Sequence, residues 1–193
     1  MTPTTANARV VPRIKGLSFI HRHGFLLERF GEEGLQRILR GVSPETAQVL
    51  RTASAQDWVP LQRLVEVDLA IVETFFGKDL KAGRIIGEYN MNQAISRIYK
   101  LVMRLISAEM AVKRTAAVWE KIVQGGALTA TMTGPRCGTL MLSGIDPLHR
   151  LYCHVLAGGF EGVLHACGEA QARCEHIECV MDGAAACRFE MRW

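Results

Sequence analysis

Cys179, Gly183, Cys187 and Phe189 stand in the pattern C-x3-G-x3-C-x-F within the last fifteen residues of the chain. Two thiols at that spacing, brought together by a turn, can pack as small hydrophobes, pair in redox chemistry or offer soft ligands to a metal. Asp182-Gly183 is a turn signal between two short runs of alternating apolar and polar residues, 173–181 and 185–193, so the segment is predicted to be a β-hairpin. With residues 182–184 as its loop, Cys179 lies opposite Cys187 and Ile177 opposite Phe189, all on one face. Five of the six cysteines, all but Cys137, fall between residues 153 and 187, and that clustering marks the region for a site.

The elements that must position these thiols divide into a helical first part and an α/β second part. Residues 15–29 read as helix interrupted near Gly24, and 31–40 as a short helix. Ser43-Pro44 is a helix start, with serine as N-cap and proline in the first turn. Leu61 to Phe75 is helical in period and apolar on more than one side. Gly87 is expected to break the next stretch, with a helix over 90–106 after it. Ser107 caps a further helix that stops at Gly125-Gly126. The period then changes from 3.6 to 2: residues 128–133 and 139–143 form a hairpin about Gly134-Pro135 and Gly138. Asp146-Pro147 begins a helix so apolar that it must be buried, ending at Gly168. The fold class is therefore α+β: an N-terminal helical layer packed on a four-stranded antiparallel sheet, the C-terminal half running hairpin, helix, hairpin. Residues 1–14 are expected to be a flexible tail and 15–193 one domain, a size that buries a core.

Two pieces of sequence carry a family resemblance. The hairpin pattern, together with Cys153 followed by Gly158-Gly159-Phe160 and Gly162, resembles the 4-vinyl reductase domain family. That fold is shared with TRAPP vesicle-tethering subunits and, more distantly, with haem-based nitric oxide sensors. The match covers residues 146–193. In members that sense aromatic compounds, a helix cysteine, a glutamate and the two hairpin cysteines bind zinc; the resemblance implies Cys153, His176, Cys179 and Cys187 here, with a structural zinc as cofactor. Histidine stands at 176 where the family has glutamate, and Glu175 adjoins it. His176 is three residues from Cys179 and points away from it in a regular strand, so a bulge is needed, whereas Glu175 has the right parity. The alternative is that the three thiols only pack.

The resemblance also implies an apolar cavity for a hydrophobic or aromatic small molecule, with Tyr99, Val102, Met103, Ile106, Met132, Met141 and Tyr152 as lining residues. It implies a homodimer, for which Leu61 to Phe75 is the preferred interface, and a partner protein that receives the signal. The expected function is non-enzymatic sensing, the competing one a scaffold or tethering subunit without a ligand. No G-x-G-x-x-G after a strand and no G-x-S-x-G elbow supports catalysis, and the histidine and Tyr-x-Ser-x-Arg pattern of the gas sensors is not found.

A charged content of 22% with a net charge of +4 describes a globular chain without the dense basic face of a nucleic-acid domain. The absence of an apolar leader or of a run of about 20 apolar residues sets the expectation of a cytoplasmic protein without a membrane span. His21 and His23 flank Arg22 in what reads as a basic surface spot, and Arg97, Lys100 and Arg104 as a solvated stripe.

Overall fold

The computed structural model describes residues 11–95, 102–145 and 149–193. Its first helix, α1 (Leu17–Gly41), buries Phe19, Phe25, Leu26, Leu35, Ile38 and Leu39. The break expected at Gly24 occurs instead at Gly31, whose φ of 66° lies in the left-handed region that glycine enters without steric cost. In α2 (Pro44–Thr52) the Ser43 hydroxyl accepts from the Thr46 amide at 3.4 Å. Glu66 then accepts from both Ser43 and Thr46, tying α2 to α3 (Leu61–Phe75). These hydrogen bonds outweigh burial and hold the Glu66 carboxyl below its ordinary range.

α3 is not the free face that the sequence suggests. Leu61, Leu64, Val67, Ile71 and Val72 are buried within this chain, because α3 is packed on several sides by other helices. Its apolar residues spread around the helix for that reason, and they do not mark a homodimer interface. The basic spot is corrected too. Arg22 is 1% exposed, and its guanidinium forks onto the Asp68 carboxylate of α3 at 2.6 and 3.0 Å. A charge this buried persists only with its counter-ion, and removing one partner costs about 3–5 kcal/mol.

α4 (Gly83–Ala94) runs straight through Gly87, where a break was expected. The expected helix over 90–106 therefore does not begin at Asn90; residues 96–101, with Arg97, Tyr99 and Lys100, lie outside the described residues. α5 (Ala108–Ile122) is capped by Ser107, which accepts from the Met110 amide at 3.2 Å. The last helix, α6 (Arg150–Ala166), takes His149 as N-cap, its Nδ1 accepting from the Leu151 amide at 3.1 Å. The Asp146-Pro147 start lies outside the described residues.

Glycine decides how α4 meets α6. A Cβ on Gly87 would sit 1.9 Å from the Val155 carbonyl oxygen, and one on Gly158 would sit 2.1 Å from that of Arg84. The two helices touch backbone to backbone. On its other side α6 lies on the main sheet, with Phe160 edge-on to Phe189 at 5.3 Å.

The main sheet is antiparallel in the order β4 (Ala127–Gly134), β5 (Cys137–Ser143), β7 (Cys187–Arg192), β6 (Arg173–Glu178), as the α+β reading requires. Alternation puts Leu140, Leu142, Cys187, Phe189 and Met191 inward. A second, three-stranded sheet was not anticipated: β1 (Arg13–Lys15) pairs with β2 (Trp58–Pro60) and β3 (Val123–Gln124). The tail drawn through residue 14 therefore ends too late, since Arg13 and Ile14 are paired on both sides and Ile14 is buried. Among the described residues no helix is long and apolar enough to cross a membrane.

Two outcomes are expected in urea unfolding. Gly158→Ala should destabilise by about 3 kcal/mol or more, because backbone cannot yield as a side chain would; Gly41→Ala, where a Cβ meets nothing within 4 Å, should be neutral or slightly stabilising. The Glu66 linkage has a definite sign. Its folded pKa lies below the unfolded 4.5, so its contribution is present above pH 4.5 and is lost as pH falls through the depressed value. Glu66→Gln should accordingly be less stable than the parent near pH 7, and the two should converge in acid.

Candidate functional site

The closing hairpin is not built as expected. β6 pairs with β7 so that Cys174 faces Met191 and His176 faces Phe189, after which the register shifts between His176 and Glu178. Ile177 is the extra residue of a β-bulge. The connection is longer than residues 182–184: Cys179 lies outside the strand, a single 3-10 turn covers Val180–Asp182, and Gly183 turns the chain at φ 90°. Cys179 and Cys187 are thus not ladder partners of each other, Cys187 pairing instead with Leu142 of β5, and Phe189 opposes His176 and not Ile177.

The bulge nevertheless brings together the four residues named from the sequence. The sulfur of Cys153, on α6, lies 4.0 Å from that of Cys179 and 3.9 Å from that of Cys187, and the two hairpin sulfurs are 3.9 Å apart. One ligand atom from each of Cys153, His176, Cys179 and Cys187 lies within 4.8 Å of every other. His176 faces inward because the extra residue lets positions 176 and 179 share a face. Its ring stacks on Phe189 at 4.8 Å, and its Nε2 is buried without a hydrogen-bond partner among the described residues. Glu175 is exposed, on the outer face opposite Glu190.

The thiols do not share a proton load equally. A hydrogen bond from Cys153 is the main cause that holds Cys187 well below the ordinary thiol range, with His176 assisting and burial opposing. Cys153 is pushed up, first by that hydrogen bond and then by burial, and Cys179 is pushed up by burial. A tetrahedral ion with metal–sulfur bonds of about 2.3 Å needs sulfurs about 3.8 Å apart, so the triangle is already near that size. Cys174 is buried opposite Met191 and Cys167 ends α6; neither belongs to the group.

The expected apolar lining does not converge. Met132 pairs with Gly138 while Met141 pairs with Thr129, which puts the two methionines on opposite faces of the sheet. Val102 is exposed, Met103 and Ile106 are half-buried, and Tyr99 lies outside the described residues. Tyr152 lines a cavity of about 20 Å³ that it shares with Leu142, Ile145, His149, Cys153 and Cys187. That is room for a water-sized body, not for an aromatic ring. On the outer side of His176 a wider cleft of about 530 Å³ is walled by Lys81, Arg84, Arg150, His154, Arg173 and Glu175. Its sequence signal is the helical spacing of Lys81 with Arg84 and of Arg150 with His154.

No family model matches the sequence, and no curated protein does. The fold, by contrast, is that of solved H-NOX proteins. An H-NOX protein from S. oneidensis in the Fe(II)NO ligation state is 16% identical with a TM-score of 0.71, over 93% of this chain and 98% of its own. A mutant H-NOX protein from K. algicida, Fe(II) and unliganded, is 12% identical with a TM-score of 0.67, over 93% and 96%. A structure concerned with haem redox potential and porphyrin distortion is 14% identical with a TM-score of 0.66, over 93% and 100%. The 4-vinyl reductase and TRAPP labels receive no support. The zinc implied by that resemblance is overturned as well: the group named with these neighbours is iron, and in one case haem.

The described residues of this chain do not fit haem. A haem needs an apolar slot of several hundred Å³ and one or two axial ligands, since its four equatorial positions are already filled. All six histidines are described: His21 bonds Asn90, His23 is half-buried on α1, His149 caps α6, His154 lines the charged cleft, His165 meets Glu88, and His176 joins the sulfurs. Of these only His149 also lines the apolar cavity beside Tyr152, and at about 20 Å³ that cavity is far too small for a porphyrin. Four donors this close together suit a single ion and cannot all serve a porphyrin iron. Hemin added at one equivalent should therefore give no sharp Soret band, and a stoichiometric Soret complex would show the misfit to be wrong.

Proposed function

We propose that this chain is a non-catalytic sensing module in which a small ligand alters the Cys153–His176–Cys179–Cys187 site and the change reaches a partner protein through α6 and α4. The observation that carries the reading is the convergence of three sulfurs and an unpartnered imidazole nitrogen from α6, β6, β7 and the turn between the strands. Those four side chains serve as ligands of one thiophilic metal ion. Thiolate and imidazole favour soft and borderline ions, and the sulfur spacing requires little movement to close on one. The fold supports a ligand-responsive role, because its solved neighbours include an NO-ligated form. The cavity beside Tyr152 admits a body of one or two heavy atoms, smaller than the aromatic ligand expected from the sequence.

Transmission follows from packing. Cys153 sits on α6, which is in backbone contact with α4, so a displacement of α6 toward or away from the hairpin moves both helices. The next residue down the helix, Tyr152, is buried close enough to Arg22 and Asp68 for both to act on its hydroxyl, though burial is the main cause that pushes its pKa up. A scaffold without a ligand is the second reading, favoured by the filled interior among the described residues.

Titration of the reduced protein with Co(II) separates the two. The sensing reading expects one ion per chain with thiolate-to-cobalt charge-transfer bands, and a gain of about 2.7 kcal/mol in stability at 100-fold excess over Kd. Cys187→Ala should weaken binding more than the 10–100-fold typical of losing a supporting group, and His176→Ala should shift the ligand-field bands. Fully reduced protein that takes up no Co(II) would leave the thiols as packing groups and favour the scaffold.

A further inference from the structure

The cleft outside His176 has the dimensions and the charge of a ligand site. Its volume of about 530 Å³ falls in the range of small-molecule sites. Its wall carries four cations: Lys81 from the turn before α4, Arg84 from the first turn of α4, Arg150 from the start of α6 and Arg173 from β6, against one carboxylate, Glu175. The guanidinium groups are held from behind by acids that are not part of the wall. Arg84 pairs with Glu161 and donates to the Cys174 carbonyl at 2.8 Å. Arg173 lies 3.7 Å from the same Glu161, and Arg150 forks onto Asp182. Side chains fixed in this way lose little conformational entropy when they take up a further partner, and each guanidinium has N–H groups beyond those its carboxylate uses.

We propose that this cleft binds a small organic polyanion, a molecule bearing two or more carboxylate or phosphate groups, which lies across Lys81, Arg84 and Arg173 with one edge on His176. Four cations against one carboxylate favour an anion, and a single halide would leave most of the cleft empty. Because the His176 ring belongs to both the cleft and the sulfur cluster, a polyanion on its outer edge and an ion on its inner side are linked. Each must change the affinity for the other by the same factor. The linkage rests on the sensing reading above; the binding itself does not, since it needs only the cations and the space.

The test is calorimetric titration of the full, metal-free chain with tricarballylate and, separately, with inorganic phosphate, against sodium chloride at equal ionic strength. Saturable binding of one anion per chain is expected, and the two arms distinguish carboxylate from phosphate recognition. The double variant Lys81→Glu, Arg173→Glu, in which both side chains are exposed, should weaken binding by about tenfold or more, the loss of at least one charge-assisted hydrogen bond. Lys81→Ala alone should weaken it less. Heat indistinguishable from that of chloride, or a charge-reversed variant that binds as tightly as the parent, would overturn the site. Repeating the titration on Co(II)-loaded protein freed of excess metal reads the linkage: a changed affinity supports it, and an unchanged one removes the coupling while the anion site stands.

Discussion

Backbone contact between α4 and α6 fixes the geometry on which everything else in the C-terminal half depends. Side chains normally hold helix axes apart, and Gly87 and Gly158 remove that spacer at the crossing. α6 is consequently pressed between α4 and the sheet with no freedom to ride higher. Its height sets where Cys153 falls relative to the hairpin, and its rotation puts Tyr152 toward the Arg22–Asp68 pair while Cys153 turns toward the sulfurs. One constraint of a few ångströms therefore joins the helical layer, the buried ion pair and the sulfur cluster.

The donor set is a product of the same economy of space. Three sulfurs about 4 Å apart around an imidazole do not arise from a filled apolar core, where methyl groups would pack as well and without polar atoms to satisfy. Nor do they resemble the environment that a porphyrin needs. The chain shares a fold with haem-associated H-NOX structures while its own donors gather at a different kind of point, which is how one architecture carries different chemistries.

Much of this was legible in the sequence, and the failures have physical causes. The α+β class followed from the change of period near residue 127, and the four clustered residues followed from cysteine spacing with a family pattern. The hairpin register was misread because turn residues such as Asp182-Gly183 fix where a chain reverses but not how many residues the reversal consumes. Gly87 was read as a helix break because glycine's propensity is visible locally, whereas the close neighbour that requires it is 68 residues away at Val155. Arg22 looked like surface because its partner, Asp68, lies on another helix. Met132 and Met141 seemed to share a pocket until the register of β4 on β5 separated their faces.

The bulge at Ile177 has a consequence for what the site can select. A strand carrying one surplus residue has a neighbouring arrangement in which the surplus sits further upstream. In that arrangement Glu175 and Ile177 would turn inward and His176 outward, so a carboxylate would stand in place of the imidazole beside the sulfurs. Hard and soft preferences would then exchange without any change of composition. The location of one unpaired residue thus decides which of residues 175–177 faces the sulfurs.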